Sequence, residues 1–307
     1  GAVKGKDYTF VLTDNSAYVI QFVGPPFTFS IRQVGSNCGA IGQHSIKYVN
    51  GAVYWMGESG GFFTYDGTVK SLPCQVEDFV FTNKGDNLGV NYQNGESVYV
   101  GLNHLYEELT WFYPKSGSSF NDRCVTYNYQ SATWTTGSLS RTTWTDANLY
   151  DVPYATEFNS TTTPTFPLIQ GVTNINGGSI YYAHEVGTDQ VDTAGAKTII
   201  PAFIESGDFS LNPDGTNAEF FMSMRRFVPD FKLLQGNAQV TIQLRDYPSD
   251  AEVSSPLGPF TITSTTDKID TRARARFASL KIANTSTDEN WRFGTFRADV
   301  QLDGMRG

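Results

Sequence analysis

The sequence predicts an all-β protein: propeller-like antiparallel meander units, followed by a β-sandwich-like platform domain. Three observations carry this. Strand formers are abundant, with 16 Tyr, 22 Phe and frequent Thr, and 29 Gly and 13 Pro cut them into short runs. Short β-rich runs bounded by turn residues read as strands joined by tight connections. No stretch sustains the 3.6-residue apolar period of an amphipathic helix. Finally, a turn glycine before an apolar-Tyr strand recurs at Gly51, Gly95 and Gly178, and the second gap is nearly twice the first. A period near 40 residues with several strands per unit is the pattern of propeller blades. A β-sandwich is the alternative arrangement for the same strands.

Asn50 to Pro73 shows the grammar best. An Asn-Gly turn precedes a strand at Ala52–Met56, Gly57 to Gly61 turns the chain, and Phe62–Tyr65 returns. Asp66-Gly67 then turns into a third strand at Thr68–Leu72. Asn-Gly and Asp-Gly suit type I′ hairpin turns, whose two central residues both need positive φ. Asn94-Gly95 likewise precedes a strand at Ser97–Leu102. Glu108–Tyr113 is expected to pair with Arg123–Tyr129, and Ala132–Thr136 closes that meander. Asn103 to Leu109 is compatible with one helical turn. Residues 151–176, rich in Thr, Pro and Asn, read as an exposed loop, and Gly177-Gly178 precedes a strand at Ser179–His184.

Composition shifts near residue 200. Residues 1–200 carry 10 Lys+Arg against 17 Asp+Glu, and residues 201–307 carry 12 against 14. Ala238–Arg245 alternates apolar and polar residues, so one face is buried. Phe260–Ser264, Ala275–Ala283 and Phe293–Leu302 follow the same pattern. The expected division is 1–205 propeller-like, with blades that need not be complete, and 206–307 sandwich-like.

The 307 residues, 39% hydrophobic and only 17% charged, exclude a disordered tail and a coiled coil. No apolar run approaches a membrane-spanning length. A net charge of −9 argues against a protein that coats nucleic acid. Cys38, Cys74 and Cys124 are odd in number and lack metal or redox spacing, so they read as free thiols. The chain opens Gly-Ala without an initiator Met, as expected of a processed or partial stretch of a longer chain.

Several motifs invite a catalytic reading and fail on spacing. Gly57-Glu58-Ser59-Gly60-Gly61 looks like the nucleophile loop of trypsin-like proteases, with His44 upstream. In that family, however, the serine comes long after its His and Asp, and here it sits in a hairpin connection. His44, His104 and His184 are scattered, and His184-Glu185 lacks the second His of a zinc helix, so no metal site is expected. Asp189, Asp192, Asp208 and Asp214 do not follow the calcium-loop pattern, which leaves only a chance loop site. Glu107 and Glu108 are adjacent in a strand-like run and would point to opposite faces, so they cannot work as a glycosidase pair. No glycine loop for a nucleotide is present. No cofactor is expected.

Arg272, Arg274 and Arg276, in the run TRARARF, stand apart. At period 2 the three guanidiniums share one strand face, where they repel unless acidic groups or phosphates lie opposite. Such a face is solvated or paired within the chain, meets an acidic neighbour subunit, or contacts nucleic acid.

The runs EELTWFYP and NDRCVTYNYQSATWTTGSLSRTTW resemble a segment of the tail nozzle proteins of short-tailed bacteriophages, also called tail tubular protein B or DNA-stabilisation proteins. NCGAIGQHSIKYVNGAVYWMGESGGFFTYDG, GGSIYYAHEVGTD, RRFVPDF, the TRARAR strand and the ending WRFGTFRADVQLDGMRG are similar to other parts of that pattern, in the same order. The resemblance implies a structural virion protein rather than an enzyme. Its copies would form a ring, expected to be a homohexamer, at the phage tail. The ring would dock on the tail adaptor, retain packaged double-stranded DNA and form the ejection channel. Tail fibres and the host cell surface are further implied partners. An acidic wall suits a conduit, because each phosphate contact adds affinity that would hold the DNA back. Trp111, Trp134, Trp144 and Trp291 are expected either in the core or as anchors between subunits. The competing reading is a tail protein that binds carbohydrate or a receptor through its Trp- and Tyr-rich β surface.

Overall fold

The computed structural model describes residues 1–83, 88–147, 150–159, 178–192, 194–211, 220–247, 256–295 and 297–305. Its described elements are β-strands except for two short helical turns, so the fold is all-β and antiparallel throughout. The chain divides into two compact units, Gly1–Val186 and Gly187–Gly307.

The first unit is a succession of meanders. The first comprises β1 (Ala2–Lys4), β2 (Thr9–Leu12), β3 (Ser16–Phe22) and β4 (Phe29–Ser36), paired in chain order. The second holds β5 (Ile46–Val49), β6 (Ala52–Met56), β7 (Phe62–Tyr65) and β8 (Val69–Leu72). Asn50 and Gly51 both have positive φ, 48° and 88°, as the type I′ turn between β5 and β6 demands. The third holds β9 (Tyr99–Asn103), β10 (Glu108–Tyr113), β11 (Arg123–Asn128) and β12 (Thr133–Gly137). The fourth has three strands, β13 (Thr143–Thr145), β14 (Tyr154–Asn159) and β15 (Gly178–Ala183). Helix α1 (Glu77–Phe81), which the sequence reading missed, joins the second meander toward the third and buries Val80.

These sheets stack face to face. Phe10, Ala17 and Val19 of the first meander share a core with Val53 and Trp55 of the second. The opposite face of the second meander gives Met56 and Phe62 to a core with Leu109, Trp111 and Trp134 of the third. The far face of the third gives Phe112 and Cys124 to a small core with Trp144 and Ala155 of the fourth. Strict alternation along each strand lets the two middle sheets serve two cores at once.

The second unit opens with the hairpin β16 (Asp189–Val191) and β17 (Lys197–Ile199), then β18 (Phe203–Glu205), β19 (Phe220–Val228), β20 (Phe231–Gln235) and β21 (Ala238–Arg245). It continues with β22 (Leu257–Ile262), β23 (Ile269–Ala275), β24 (Phe277–Ala283), β25 (Asn290–Phe293) and β26 (Arg297–Met305). One sheet has the order β18-β24-β21-β22, another β23-β19-β26, and β20 pairs with β25. Val240, Ile242 and Ile282 of the first sheet meet Met222, Met224 and Ala273 of the second in one core, the layering of a sandwich.

Several expectations need adjusting. Tyr154–Asn159, expected in a loop, is β14, and residues 160–176 of that segment lie outside the described residues. Ala275–Ala283 is not one strand: the chain leaves β23 at Ala275 and enters β24, in the other sheet, at Phe277. Phe293–Leu302 is likewise split between β25 and β26. The segment Asn103–Leu109 is a reversal between β9 and β10, with Glu107 at φ 60°, rather than a helical turn. The sequence division falls at 205/206, whereas the compact units part at 186/187; β18 pairs with β24 deep in the second unit. Trp111, Trp134 and Trp144 are buried and Trp291 packs against the sandwich core, so they act as core residues.

Candidate functional site

Two of the three arginines follow the predicted period; β23 ends at Ala275, before Arg276. Along β23 the pattern alternates, with Thr271, Ala273 and Ala275 buried and Arg272 and Arg274 exposed. Small residues inward and arginines outward let β23 lie close against β19 while its outer face stays wet. A surface hollow of about 490 Å³ opens there, lined by Ser223, Arg225, Asp270, Arg272, Arg274 and Asp303 among others.

The arginines have separate tasks. Arg274 donates from Nε to Asp303 Oδ2 at 2.6 Å and lies 4.0 Å over the Phe221 ring. Arg276 leaves the strand and stacks 5.0 Å from Phe221 and 5.1 Å from Tyr247. Phe221 is 4% exposed although its neighbours Met222 and Met224 are the residues that enter the core, so two guanidiniums roof it on the outer face. Arg272 lines the same hollow and forms no ion pair among the described residues. Opposite it, a bulge in β19 between Met224 and Arg226 turns Arg225 outward into the hollow. Asp270 is held below the usual carboxylate range by Arg226 and Lys268. Arg274→Ala should therefore cost about 1–1.5 kcal/mol in urea unfolding, mostly by uncovering Phe221, because an exposed ion pair contributes little. Arg272→Ala should stay within about 0.5 kcal/mol of the parent.

A second polar cluster lies in the first unit. Arg141, 6% exposed, donates from Nε to His184 Nε2 at 2.9 Å, reaches Glu157 at 3.4 Å and sits 4.2 Å over the Tyr182 ring. His184 accepts that hydrogen bond, so its Nε2 must be unprotonated. Burial and the Arg141 charge push its pKa down to about 4. The imidazole also leans on Trp144, 4.6 Å between rings. Nearby, Asn103 Nδ2 donates to Glu185 Oε1 at 2.9 Å, and burial together with mutual repulsion raises Glu108. Burial raises Glu185 as well. His104 pairs with Asp146, which also accepts the backbone N–H of Ala147.

This arrangement has a pH signature. An unfolded His184 takes a proton below about pH 6.5, while the folded one resists until about 4. Stability is therefore lost as pH falls across that window, by roughly 2 kcal/mol once partial exposure is discounted. Glu108 and Glu185 act oppositely, since a carboxylate raised in the folded state takes its proton there first. His184→Gln should flatten the pH 4–6.5 slope of the urea midpoint; an unchanged slope would show that His184 is not its source.

The remaining candidates take structural places. Gly57–Gly61 is the connection from β6 to β7, as the spacing required. Glu107 lies in the reversal and Glu108 on β10. His44 bonds Gln43 and packs near Tyr99. Asp189 accepts the Asp288 N–H, Asp192 caps its own turn through Ala194 and Ala196, and Asp208 pairs with Arg245. Asp214 lies outside the described residues. Among the described residues no group of three His, Cys, Asp or Glu is placed to hold a metal. Cys38, Cys74 and Cys124 are free, and burial raises each thiol, so none is activated.

No known protein family matches the chain, and no curated protein does. Among solved structures, a glycoside hydrolase is similar at 9% identity and a TM-score of 0.25, over 94% of this chain and 81% of that one. The exo-β-1,3-galactanase of Phanerochaete chrysosporium, determined with galactose, is similar at 10% identity and a TM-score of 0.18, over 98% and 94%. At such scores the overlap carries no argument about fold or activity. Sequence reasoning found the arginine strand but missed Phe221, Arg225 and the Arg141–His184 pair. For Phe221 and Arg225 the signal was local, an unbroken FFMSMRRFV run with apolar residues on both faces; Arg141 and His184 are 43 residues apart and carry no local signal.

Proposed function

We propose that the chain is a structural subunit of the tail nozzle ring of a short-tailed bacteriophage. It docks on the tail adaptor, retains packaged DNA and lines the exit channel. The observation that carries this reading is the order of its architecture: stacked antiparallel meanders followed by a two-sheet sandwich, the arrangement that the resemblance implies. The arginine face supports it in a second way. Arg274 and Arg276 are committed to Phe221, Asp303 and Tyr247, so two of the three arginines singled out in the sequence are engaged within the chain, whose net charge is −9. The reading assigns no catalytic step. Electron microscopy of the purified protein, alone and with its adaptor, tests it: a closed ring of copies is expected, and a strict monomer that never docks would sink it.

A second reading, carbohydrate or receptor binding, draws on the fourth meander. There Tyr181 is 62% exposed and stacks on Tyr154, with Tyr150 beside it. Aromatic platforms of this kind suit sugar rings. Glycan-array binding that disappears in Tyr181→Ala would favour it.

A further inference from the structure

The second unit gives most of its arginines a partner. Among the described residues Arg226 pairs with Asp270, Arg245 with Asp208, Arg274 with Asp303 and Arg297 with Asp230, while Arg276 stacks on Phe221 and Tyr247. Arg225, Arg272 and Arg292 have no ion pair or ring contact among those residues. Two of these three, Arg225 and Arg272, line one hollow of about 490 Å³ on the outer face of β19 and β23.

The strand register explains why they meet. Met224 pairs with Ala273 and Arg226 with Asp270, so Arg225 falls opposite the Thr271–Arg272 step. Thr271 is buried and its hydroxyl donates to the Met224 carbonyl, which leaves Arg272 as the outward member of that step. Like charges side by side on a sheet face repel. The two acids that line the hollow do not offset this, because each is engaged by another cation. Asp303 accepts from Arg274 Nε at 2.6 Å, and Asp270 accepts from Arg226 Nε at 3.0 Å with Lys268 at 3.3 Å. Asp299 on β26 is the register partner of Arg226 and is not among the lining residues. Ser223 adds to the lining a hydroxyl that makes no hydrogen bond among the described residues.

We propose that this hollow is a binding site for a phosphate group, held by the guanidiniums of Arg225 and Arg272 with the Ser223 hydroxyl as a third donor. The proposal stands on the hollow alone and does not need the nozzle reading. A terminal phosphate carries about −1.5 to −2 charges and three strong acceptor oxygens, which matches two cations that each present a planar fork of N–H donors. A carboxylate carries a single charge, and one arginine fork already takes both of its oxygens, so the second guanidinium would stay unpaired. Consecutive phosphodiesters of a DNA strand offer one charge to each arginine. Free phosphate and the DNA backbone therefore share the chemistry, and experiment separates them.

The test uses the full chain, titrated with inorganic phosphate by phosphorus NMR and with a short DNA duplex by fluorescence anisotropy. Arg225→Gln/Arg272→Gln should bind phosphate at least about tenfold more weakly than the parent, with unchanged far-UV circular dichroism, since each lost charge-assisted hydrogen bond matters on that scale. Arg225→Lys/Arg272→Lys keeps the charge without the fork and should fall between the two. Arg32→Gln/Arg292→Gln removes the same charge from exposed positions outside the hollow and should leave binding unchanged. Phosphate should also raise the urea midpoint of the parent more than that of the Gln pair, which separates binding from the general stabilisation that phosphate salts give. Duplex binding whose salt dependence falls by about 2 in the Gln pair would name the DNA backbone as the source, and phosphate binding without duplex binding would name a small phosphate. A parent that binds neither would overturn the site. An equal loss in Arg32→Gln/Arg292→Gln would overturn it too, by showing that net charge alone is read. Binding of poly-glutamate, but not phosphate, that the Gln pair abolishes would overturn the phosphate assignment in favour of an acidic protein segment.

Discussion

Replacing Trp111 with Ala should cost the first unit about 4–8 kcal/mol. Trp111 is fully buried on β10, between the second and third meanders. Its ring lies 5.0 Å from Phe62 and 6.1 Å from Trp134. Its Nε1 donates to the carbonyl of Ser45 at 2.9 Å, and Ser45 is itself fully buried. Truncating a large aromatic side chain in a core costs about 3–5 kcal/mol, and the orphaned carbonyl adds roughly 1–3. Whole domains are stable by only about 5–15 kcal/mol, so the variant should populate unfolded chain at room temperature. Trp111→Phe keeps most of the ring and should recover about half of the loss. Urea unfolding followed by near-ultraviolet circular dichroism reads both; a loss below about 1 kcal/mol for Trp111→Ala would mean that the two meanders do not depend on this contact.

How much of this was legible depends on how local the cause is. The hairpins from Asn50 to Leu72 could be placed within a residue, because turn residues bound them and alternation fixes the faces; only Asn50-Gly51 takes the expected type I′ form, since at Asp66-Gly67 the glycine alone has positive φ, 121°. β14 was not legible: its Thr and Tyr residues suit a strand, but its partner β15 begins beyond a long Thr- and Pro-rich stretch. The break at Arg276 left a readable trace that went unused. Buried positions are odd-numbered through Ala273 and Ala275 and even-numbered at Ala278, Leu280 and Ile282. A change of parity marks a strand that swings from one sheet to the other.

The arginine site divides the same way. Period 2 gave the shared face of Arg272 and Arg274, but not what lies beneath or beside it. Asp303 is 29 residues away in sequence, and Phe221 belongs to a run whose two faces are both apolar. The exposed apolar residues Phe22, Phe29 and Ile31 of β3 and β4 were hidden for another reason: an exposed apolar strand face and a buried one read alike until neighbouring sheets are in place.

Gly39→Ala tests the junction that holds the first meander to the second, at a position where space rather than torsion is decisive. Gly39 follows β4, and a Cβ there would sit 1.8 Å from the Asp14 carbonyl oxygen and 2.5 Å from the Asn15 nitrogen. Both are backbone atoms of the β2–β3 turn and have no side-chain freedom to yield. The same few residues tie the sheets together. Cys38 N–H donates to Asn15, Ala40 N–H to Thr13, and the Gly39 carbonyl accepts from Glu58 N–H at 3.1 Å. Cys38 O also accepts from Trp55 Nε1 at 2.8 Å. Relieving the clash must part this crossing from the turn, so overpacking and broken hydrogen bonds add to about 3–5 kcal/mol. Gly51→Ala is the matching control: its φ is 88° and no atom lies within 4 Å, so it should cost only about 1 kcal/mol of left-handed strain. Equal losses at the two sites would show that torsion alone governs both. A much larger loss at Gly39, with Glu58 N–H hydrogen exchange accelerated, places the Gly-Glu-Ser-Gly-Gly turn in the scaffold that joins the sheets.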